Sequence, residues 1–310
     1  MKIGYAFPAG TVTNDDLVAL FPDWTAEKIL AKTGISSRHV AGPDETAVDL
    51  AVAACEDLFG QGVDRASVDY LLFCTQSTQC PLPSAACLLQ RALGLSTSIG
   101  ALDLGLGCSG FVYGLSVAKG LIVSGAARRV LLVTADTYSK YLAADDRSTR
   151  SIFGDGAAAT LVDAAVARQL GPFAFGTDGT GAERLIVRPG LPLFMDGPEI
   201  FNFTLDVVPQ TIAELCAKGG VTTAAIDLFV FHQANRFMLD TLRKTCALPA
   251  EKVFVDMEDI GNTVSSSIPI ALRRAERAGR LRPGMKVMLI GFGVGLSWAG
   301  TIYTTEEVAS

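Results

Sequence analysis

An amphipathic helix followed by a short apolar strand occurs twice in this chain, and the repetition restricts the folds open to it. The first copy runs from Glu45 to Phe59 and then from Val68 to Phe73; the second runs from Thr204 to Cys216 and then from Ile226 to Phe231. Apolar residues recur at helical spacing in both, at Val48, Ala51, Val52, Cys55 and Leu58, and at Leu205, Val208, Ile212 and Leu215. Each helix leads into an apolar run headed by an aspartate, Asp69 or Asp227, which reads as a buried strand. The echo continues. A strand at 70–74 precedes a helix near 84–93, and a strand at 228–231 precedes a helix near 235–246. An expected strand, a glycine-bearing elbow and a long helix then follow in each half, near 108–125 and near 264–279. Val130–Thr134 matches Lys286–Ile290 as a further strand. This alternation predicts an α/β fold with largely buried sheets. The chain divides near 165–172, giving halves 1–168 and 169–310, and two such halves fused face to face would set their loop residues around one cleft.

Composition narrows the function. With 26 basic against 32 acidic residues the net charge is −6, so the chain lacks the basic excess of a general nucleic-acid binder. Seven cysteines show no Cys-x-x-Cys pair, and the opening Met1 to Pro8 has no signal-peptide apolar run, so a reducing, cytoplasmic setting is expected. Only two histidines, His39 and His232, are present, which argues against a multi-histidine metal site. The uncharged run from Val287 to Thr305 is long enough to span a membrane, but Gly291, Gly293, Gly295 and Gly300 interrupt it. It reads as two strands around a glycine loop.

The most informative segment is Leu102-Asp-Leu-Gly-Leu-Gly-Cys-Ser-Gly-Phe111. It puts Cys108 where a strand turns into a helix, with Gly105, Gly107 and Gly110 removing bulk. A thiol facing the unpaired N–H groups of a helix start is expected to have its pKa lowered below about 8.5, and its own N–H can bind an oxyanion. The plain alternative is core filler, the reading given to Cys55, Cys74, Cys87, Cys216 and Cys246. A rival motif uses the same letters: Gly105-x-Gly107-x-x-Gly110 fits a dinucleotide fingerprint, with Asp136 as the ribose-binding acid of an NAD-dependent dehydrogenase. The matching elbow of the second half, Gly261-Asn262-Thr263, has no phosphate-cradling glycines. Two further residues sit at such corners. His232 closes a strand and opens His-Gln-Ala-Asn235, and Asn262 stands at a helix entrance. Singly, one reads as a structural histidine and the other as a turn; together with Cys108 they suggest a site.

Taken in order, the motifs resemble the β-ketoacyl-acyl-carrier-protein synthase III family of the thiolase-like superfamily. The resemblance is carried by Lys32-Thr-Gly-Ile35 with Arg38-His39, Pro83-Ser-Ala-Ala-Cys87, Gly107-Cys-Ser-Gly-Phe111 and Asp146-Arg147. It continues through Phe153-Gly-Asp-Gly156, His232-Gln-Ala-Asn235, Gly261-Asn-Thr263 and Gly291-Phe-Gly-Val-Gly295. It implies a five-layered αβαβα fold of two duplicated halves, usually a homodimer, with no cofactor and no metal. It also implies that Cys108 takes an acyl group from a thioester, usually of coenzyme A. Malonyl-carrier protein then loses carbon dioxide, and the enolate attacks the acyl-enzyme. His232 and Asn262 would hold the enolate oxygen, and the N–H groups of Cys108 and Val294 the acyl oxygen. An enzyme of the same fold that passes the acyl group to an alcohol or amine, or a silent carrier-binding module, are the other readings.

The departures are specific. Lys28 stands where the family has a tryptophan, with Trp24 nearby but out of register. Phe237 stands where it has an arginine, preceded by Arg236. Val294 interrupts the Gly-Gly-Gly run, and Leu82 replaces a phenylalanine that in the family reaches the partner's acyl pocket, pointing to a longer or branched acyl group. These changes suggest a specialised lipid, polysaccharide or secondary-metabolite role. Lys28, Lys32, Arg147, Arg236 and Lys244 are the candidates for meeting substrate or an acidic acyl carrier protein, with Arg243 beside them; a solvated helix face is the alternative. Arg150 is expected to be surface charge, Asp155 a turn residue and His39 non-catalytic.

Overall fold

The structure is a computed structural model, and it describes residues 1–306. The first half contributes β1 (Lys2–Ala6), β2 (Thr11–Thr13), α1 (Asn14–Leu20), α2 (Ala26–Thr33), β3 (Ser37–His39), α3 (Ala47–Gly60) and β4 (Tyr70–Cys74). It continues with α4 (Ala85–Leu93), β5 (Gly100–Leu104), α5 (Gly110–Val123), β6 (Arg129–Asp136), α6 (Arg147–Arg150), β7 (Gly156–Asp163) and α7 (Ala164–Gln169). The remainder holds β8 (Leu170–Thr177), β9 (Leu185–Ile186), β10 (Phe194–Met195), α8 (Gly197–Gly219), β11 (Leu228–Phe231), α9 (Arg236–Thr245), α10 (Ser267–Arg277), β12 (Lys286–Gly293) and β13 (Ser297–Thr304).

Two sheets carry the fold. The first has the order β1-β7-β6-β4-β5 and the second β11-β12-β13-β8. Their pairings repeat. In the first, β1 is antiparallel to β7, β7 antiparallel to β6, and β6 parallel to β4. In the second, β8 is antiparallel to β13, β13 antiparallel to β12, and β12 parallel to β11. Sequence alternation within the strands decides the layers. Leu71, Phe73, Leu131 and Val133 face α3 and α4, while Leu72, Val130 and Leu132 face inwards. Phe229, Phe231, Met288 and Ile290 face α8 and α9, while Leu228, Val230, Val287 and Leu289 face inwards. Helices α5 and α10 fill the middle through Phe111, Val112, Leu115, Ile268 and Ile270, each wholly buried. The result is a five-layered αβαβα stack, with apolar strands because both sheet faces are covered.

Local chemistry starts the helices where they are needed. Thr46 and Asp49 form a capping box ahead of α3, and Asn235 caps α9 by accepting from the Met238 N–H at 2.9 Å. The expected helix at 204–216 is longer: Asp196 caps it, Pro198 lies in its first turn, and Gly220 ends it in the left-handed region. The expected strand before Asn262 shrinks to a single bridge between Val253 and Phe229, so the second sheet has four strands rather than five. The run from Val287 to Thr305 forms the β12–β13 hairpin. Among the described residues no helix is long and apolar enough to cross a membrane.

Candidate active site

Cys108 occupies the turn between β5 and α5. The Gly110 N–H donates to the Gly107 carbonyl at 2.7 Å to close that turn, and Ser109 is the residue from which α5 starts. A Cβ on Gly110 would run into Cys74 Sγ. A Cβ on Gly107 would stand 2.5 Å from Gln76 Oε1 and 2.7 Å from Val294 Cγ1. At Gly107, where the fingerprint needs the backbone open to a pyrophosphate, Gln76 and Val294 therefore take up the space. The acid assigned to its ribose is also engaged: Asp136 is wholly buried and accepts from Gln76 N–H at 2.8 Å and from the Ser265 hydroxyl. Burial pushes the Asp136 carboxyl up to about 7, against those hydrogen bonds. The dinucleotide reading fails on these grounds.

The expectation of a low Cys108 pKa is also overturned. Burial, with the Asp136 carboxylate adding to it, pushes the thiol up to about 12, while the N–H groups of Cys108 and Val294 pull the other way. The turn leaves the Cys108 residue 6% exposed, and desolvation of a thiolate there outweighs two backbone donors. Cys108 rests as a thiol.

His232 follows β11 directly, and its own N–H donates to Ile290 O at 2.8 Å. Its Nδ1 is 2.7 Å from Ser267 Oγ, which also accepts the Gln233 N–H at 3.3 Å. Where the serine hydroxyl donates to Nδ1, the ring proton lies on Nε2. Burial lowers the His232 pKa to about 3, and the imidazole is neutral. Phe292 meets the ring edge-on at 5.6 Å.

Asn262 is reached through Gly261, at φ +71°, and is pinned across the halves: its N–H donates to Ile152 O at 2.9 Å and its carbonyl accepts from Gly154 at 3.0 Å. Its Oδ1 accepts the Val264 N–H at 2.9 Å, which leaves the Nδ2 hydrogens for something else. The turn reading and the functional reading of this asparagine are thus compatible. Val264 itself has φ +53°, an uncommon state for a β-branched residue.

Cys108, His232 and Asn262 line one cavity of about 100 Å³, with Phe153, Met238 and Phe292 among its apolar walls. Val294, half-buried, is on the loop between β12 and β13. Outside the cavity, Trp24 lies under the Arg147 guanidinium, 5.2 Å from carbon to ring centroid, so an aromatic–cation pair forms despite the register shift. Lys28 and Lys32 are exposed on α2, and Arg236 packs against Gly34 at the end of that helix. Lys244 is exposed at the far end of α9, about 12 Å of helix rise from Arg236, and does not belong to that group. Leu82 is 85% exposed. His39 stacks on Phe7 at 4.8 Å and bonds Pro8 O, and Asp155 is buried, accepting from Ala41 N–H at 2.7 Å and from Ser139. Cys87 is exposed on the outer side of α4, and Cys216 and Cys246 are only partly buried, so core filler describes Cys55 and Cys74 alone. Sequence reasoning missed Ser267 and Gln76; the three serines 265–267 at a helix start were the visible signal for the first. Among the described residues no cluster of three or more His, Cys, Asp or Glu side chains is placed to hold a metal ion.

A duplicated five-layer stack with a cysteine, a histidine and an asparagine at one cavity defines a thiolase-like condensing enzyme. Residues 102–179 match the family model described as 3-oxoacyl-[acyl-carrier-protein] synthase III, and residues 216–305 match the model of that enzyme's C-terminal part. A β-ketoacyl-[acyl-carrier-protein] synthase III of Nitratidesulfovibrio vulgaris is 36% identical, over 95% of each chain. One of Deinococcus deserti is 38% identical over 97% of this chain and 90% of its own. A crystal structure of a 3-oxoacyl-(acyl-carrier-protein) synthase III superposes with a TM-score of 0.94 at 50% identity, covering 97% of this chain and 98% of the other. The chain belongs to the β-ketoacyl-[acyl-carrier-protein] synthase III family, and it is a condensing enzyme of the acyltransferase class.

Proposed function

We propose that Cys108 is the nucleophile, and that His232 and Asn262 form the hole for the enolate of a malonyl thioester. The observation that carries this is that three corners of the fold deliver these side chains to one cavity, with Nε2 of His232 and Nδ2 of Asn262 left without a protein acceptor among the described residues. Cys108 Sγ attacks the donor thioester carbonyl and expels the donor's thiol, which leaves with the cysteine proton. The acyl oxygen is held by the Cys108 and Val294 N–H groups. The malonyl thioester then loses its carboxylate as carbon dioxide, and the two side-chain donors take up the charge that develops on its thioester oxygen. The enolate carbon forms the new bond to the acyl carbonyl, and Cys108 departs as a thiolate that takes a proton from water to return to its resting thiol. Both donors are neutral and fixed beforehand, so the charge meets hydrogen bonds that need no reorganisation.

The acyl carrier protein is the expected holder of the malonyl group, and the group formed by Lys28, Lys32, Arg147 and Arg236 beside the Trp24 pair suits the phosphate-bearing arm of a carrier or coenzyme. No cofactor enters this chemistry. Exposed Leu82 and the unpaired outer edge of β5, with Leu102 44% exposed, support a homodimer across that edge. The halves 1–168 and 169–310 are the duplicated units, in a specialised pathway set by the acyl group.

Intact-protein mass after brief exposure to acyl thioesters of coenzyme A and of carrier protein tests the reading. An acyl-sized gain in the wild type and none in Cys108→Ala is expected; a gain that survives in Cys108→Ala would sink it.

A further inference from the structure

Beside the reaction cavity lies a larger one, of about 430 Å³, that the chemistry above leaves unused. It adjoins the first at Leu185 and includes Val294 in its wall. Its near end is polar. The Gln76 carboxamide and the Val294 side chain both abut Gly107, the residue before the nucleophile. Gln76 Oε1 accepts from the Tyr138 hydroxyl at 2.6 Å, and the Tyr141 hydroxyl donates to the Gln76 carbonyl at 3.0 Å. The Tyr138 ring is buried and wedged between Phe153 and Tyr141, at 5.3 and 5.8 Å. Capacity remains on this fixed pair. The Tyr138 oxygen keeps its lone pairs. Gln76 Nε2 makes only one long contact, 3.4 Å to Gly105 O, and its second hydrogen has no acceptor among the described residues. The remaining walls, Leu185 at the junction and Ile186, Val187 and Leu193 beyond it, are apolar.

Resting on the assignment of Cys108 as nucleophile, we infer that the acyl group it accepts carries a hydroxyl or oxo oxygen within its first few carbons and an apolar tail beyond. The oxygen accepts from Gln76 Nε2, a hydroxyl at that place also donates to the Tyr138 oxygen, and the tail fills the larger cavity. A plain alkyl chain on the same path would cover these polar atoms without replacing their water, and a site built to hydrogen-bond a substrate oxygen discriminates against the analogue lacking it.

The test compares octanoyl-coenzyme A with its 2-, 3- and 4-hydroxy and 3-oxo counterparts by the rate of mass gain on Cys108. At least one oxygenated donor is expected to load at least about tenfold faster than octanoyl, and that ratio to fall towards one in Tyr138→Phe and in Gln76→Leu. Thermal unfolding of both variants checks that they fold, and Tyr138→Phe keeps the ring packing. Equal loading of all five donors would overturn the inference and leave the nucleophile standing, as would a preference that both variants retain. No gain from any donor, with Cys108 still open to iodoacetamide, would remove the nucleophile assignment and this inference with it.

Discussion

In the first half, β5 pairs with β4 over five residues before the chain turns at Cys108; in the second, the matching segment keeps one bridge, Val253 to Phe229, before it turns at Asn262. The two corners are also built from different backbone. Glycines at the first make room: Gly107 for Gln76 and Val294, Gly110 for Cys74. At the second the backbone enters the left-handed region at Gly261 and again at Val264. What the second corner lacks in sheet pairing it recovers from the other half, through Ile152, Gly154 and the Asp136–Ser265 bond. The dependence is mutual. A Cβ on Gly291 of β12 would stand 2.5 Å from Cys108 O, and Ser109 shares a 2.7 Å hydroxyl bond with Ser297. Duplication supplies two similar corners, but each is held in shape by the opposite half, so the site exists only when both are joined.

Substitutions at the two corners separate their work. The largest effect is expected from Cys108→Ala, which removes acyl loading altogether in a quenched mass measurement. Next come Asn262→Ala and His232→Ala: acyl loading persists, while condensation, followed as carbon dioxide released with product formed, falls roughly 10²–10³-fold. If Asn262→Ala condensed at the wild-type rate, the division of labour between the corners would be wrong. Ser267→Ala comes third. It leaves His232 Nδ1 without its donor and lets the ring proton settle on either nitrogen, so condensation drops about tenfold while loading is unchanged.

Much of this contrast was legible in the residues and some was not, for physical reasons. The outer helices announced themselves because one-sided burial imposes a period, and the strands at 70–74 and 228–231 because burial on both faces makes a short unbroken apolar run. The extension of α8 to Gly197 did not follow from period, since Asp196 and Pro198 act through capping; Pro209, inside the helix, argued locally against its length. The missing fifth strand of the second sheet was illegible because Val253 to Val255 is as strand-like as the segment that pairs in the first half. Glycine spacing located Cys108 but misjudged its acidity: spacing reveals the donors near a sulfur and not how deeply the fold buries it. Trp24 shows the converse. Its register in the sequence was wrong for the family pattern, yet the turn before α2 brings it beneath Arg147.

The smallest expected effect is the sharpest test of the contrast between the corners, because burial drives their two titratable groups in opposite directions to the same end. At Cys108 it disfavours the thiolate, with the pKa up to about 12, so alkylation by iodoacetamide should climb about tenfold per pH unit and show no plateau below about pH 10. At His232 it disfavours the imidazolium, with the pKa down to about 3. Raising the pH from 5 to 9 then removes no proton from the ring, and the Nε2 donor stays in place across the whole interval. Condensation by enzyme already acylated, measured at saturating malonyl donor, should therefore show no inflection near 6.5 that depends on His232, and any inflection from Asp136, whose carboxyl lies at about 7, should persist in His232→Ala. An inflection between pH 6 and 7 that vanished in His232→Ala would mean that the ring charges in the folded protein. Ser267 would then have to accept from Nδ1 rather than donate to it, and a histidine charging beside the nucleophile would replace the fixed, neutral donor on which the second corner is argued to depend.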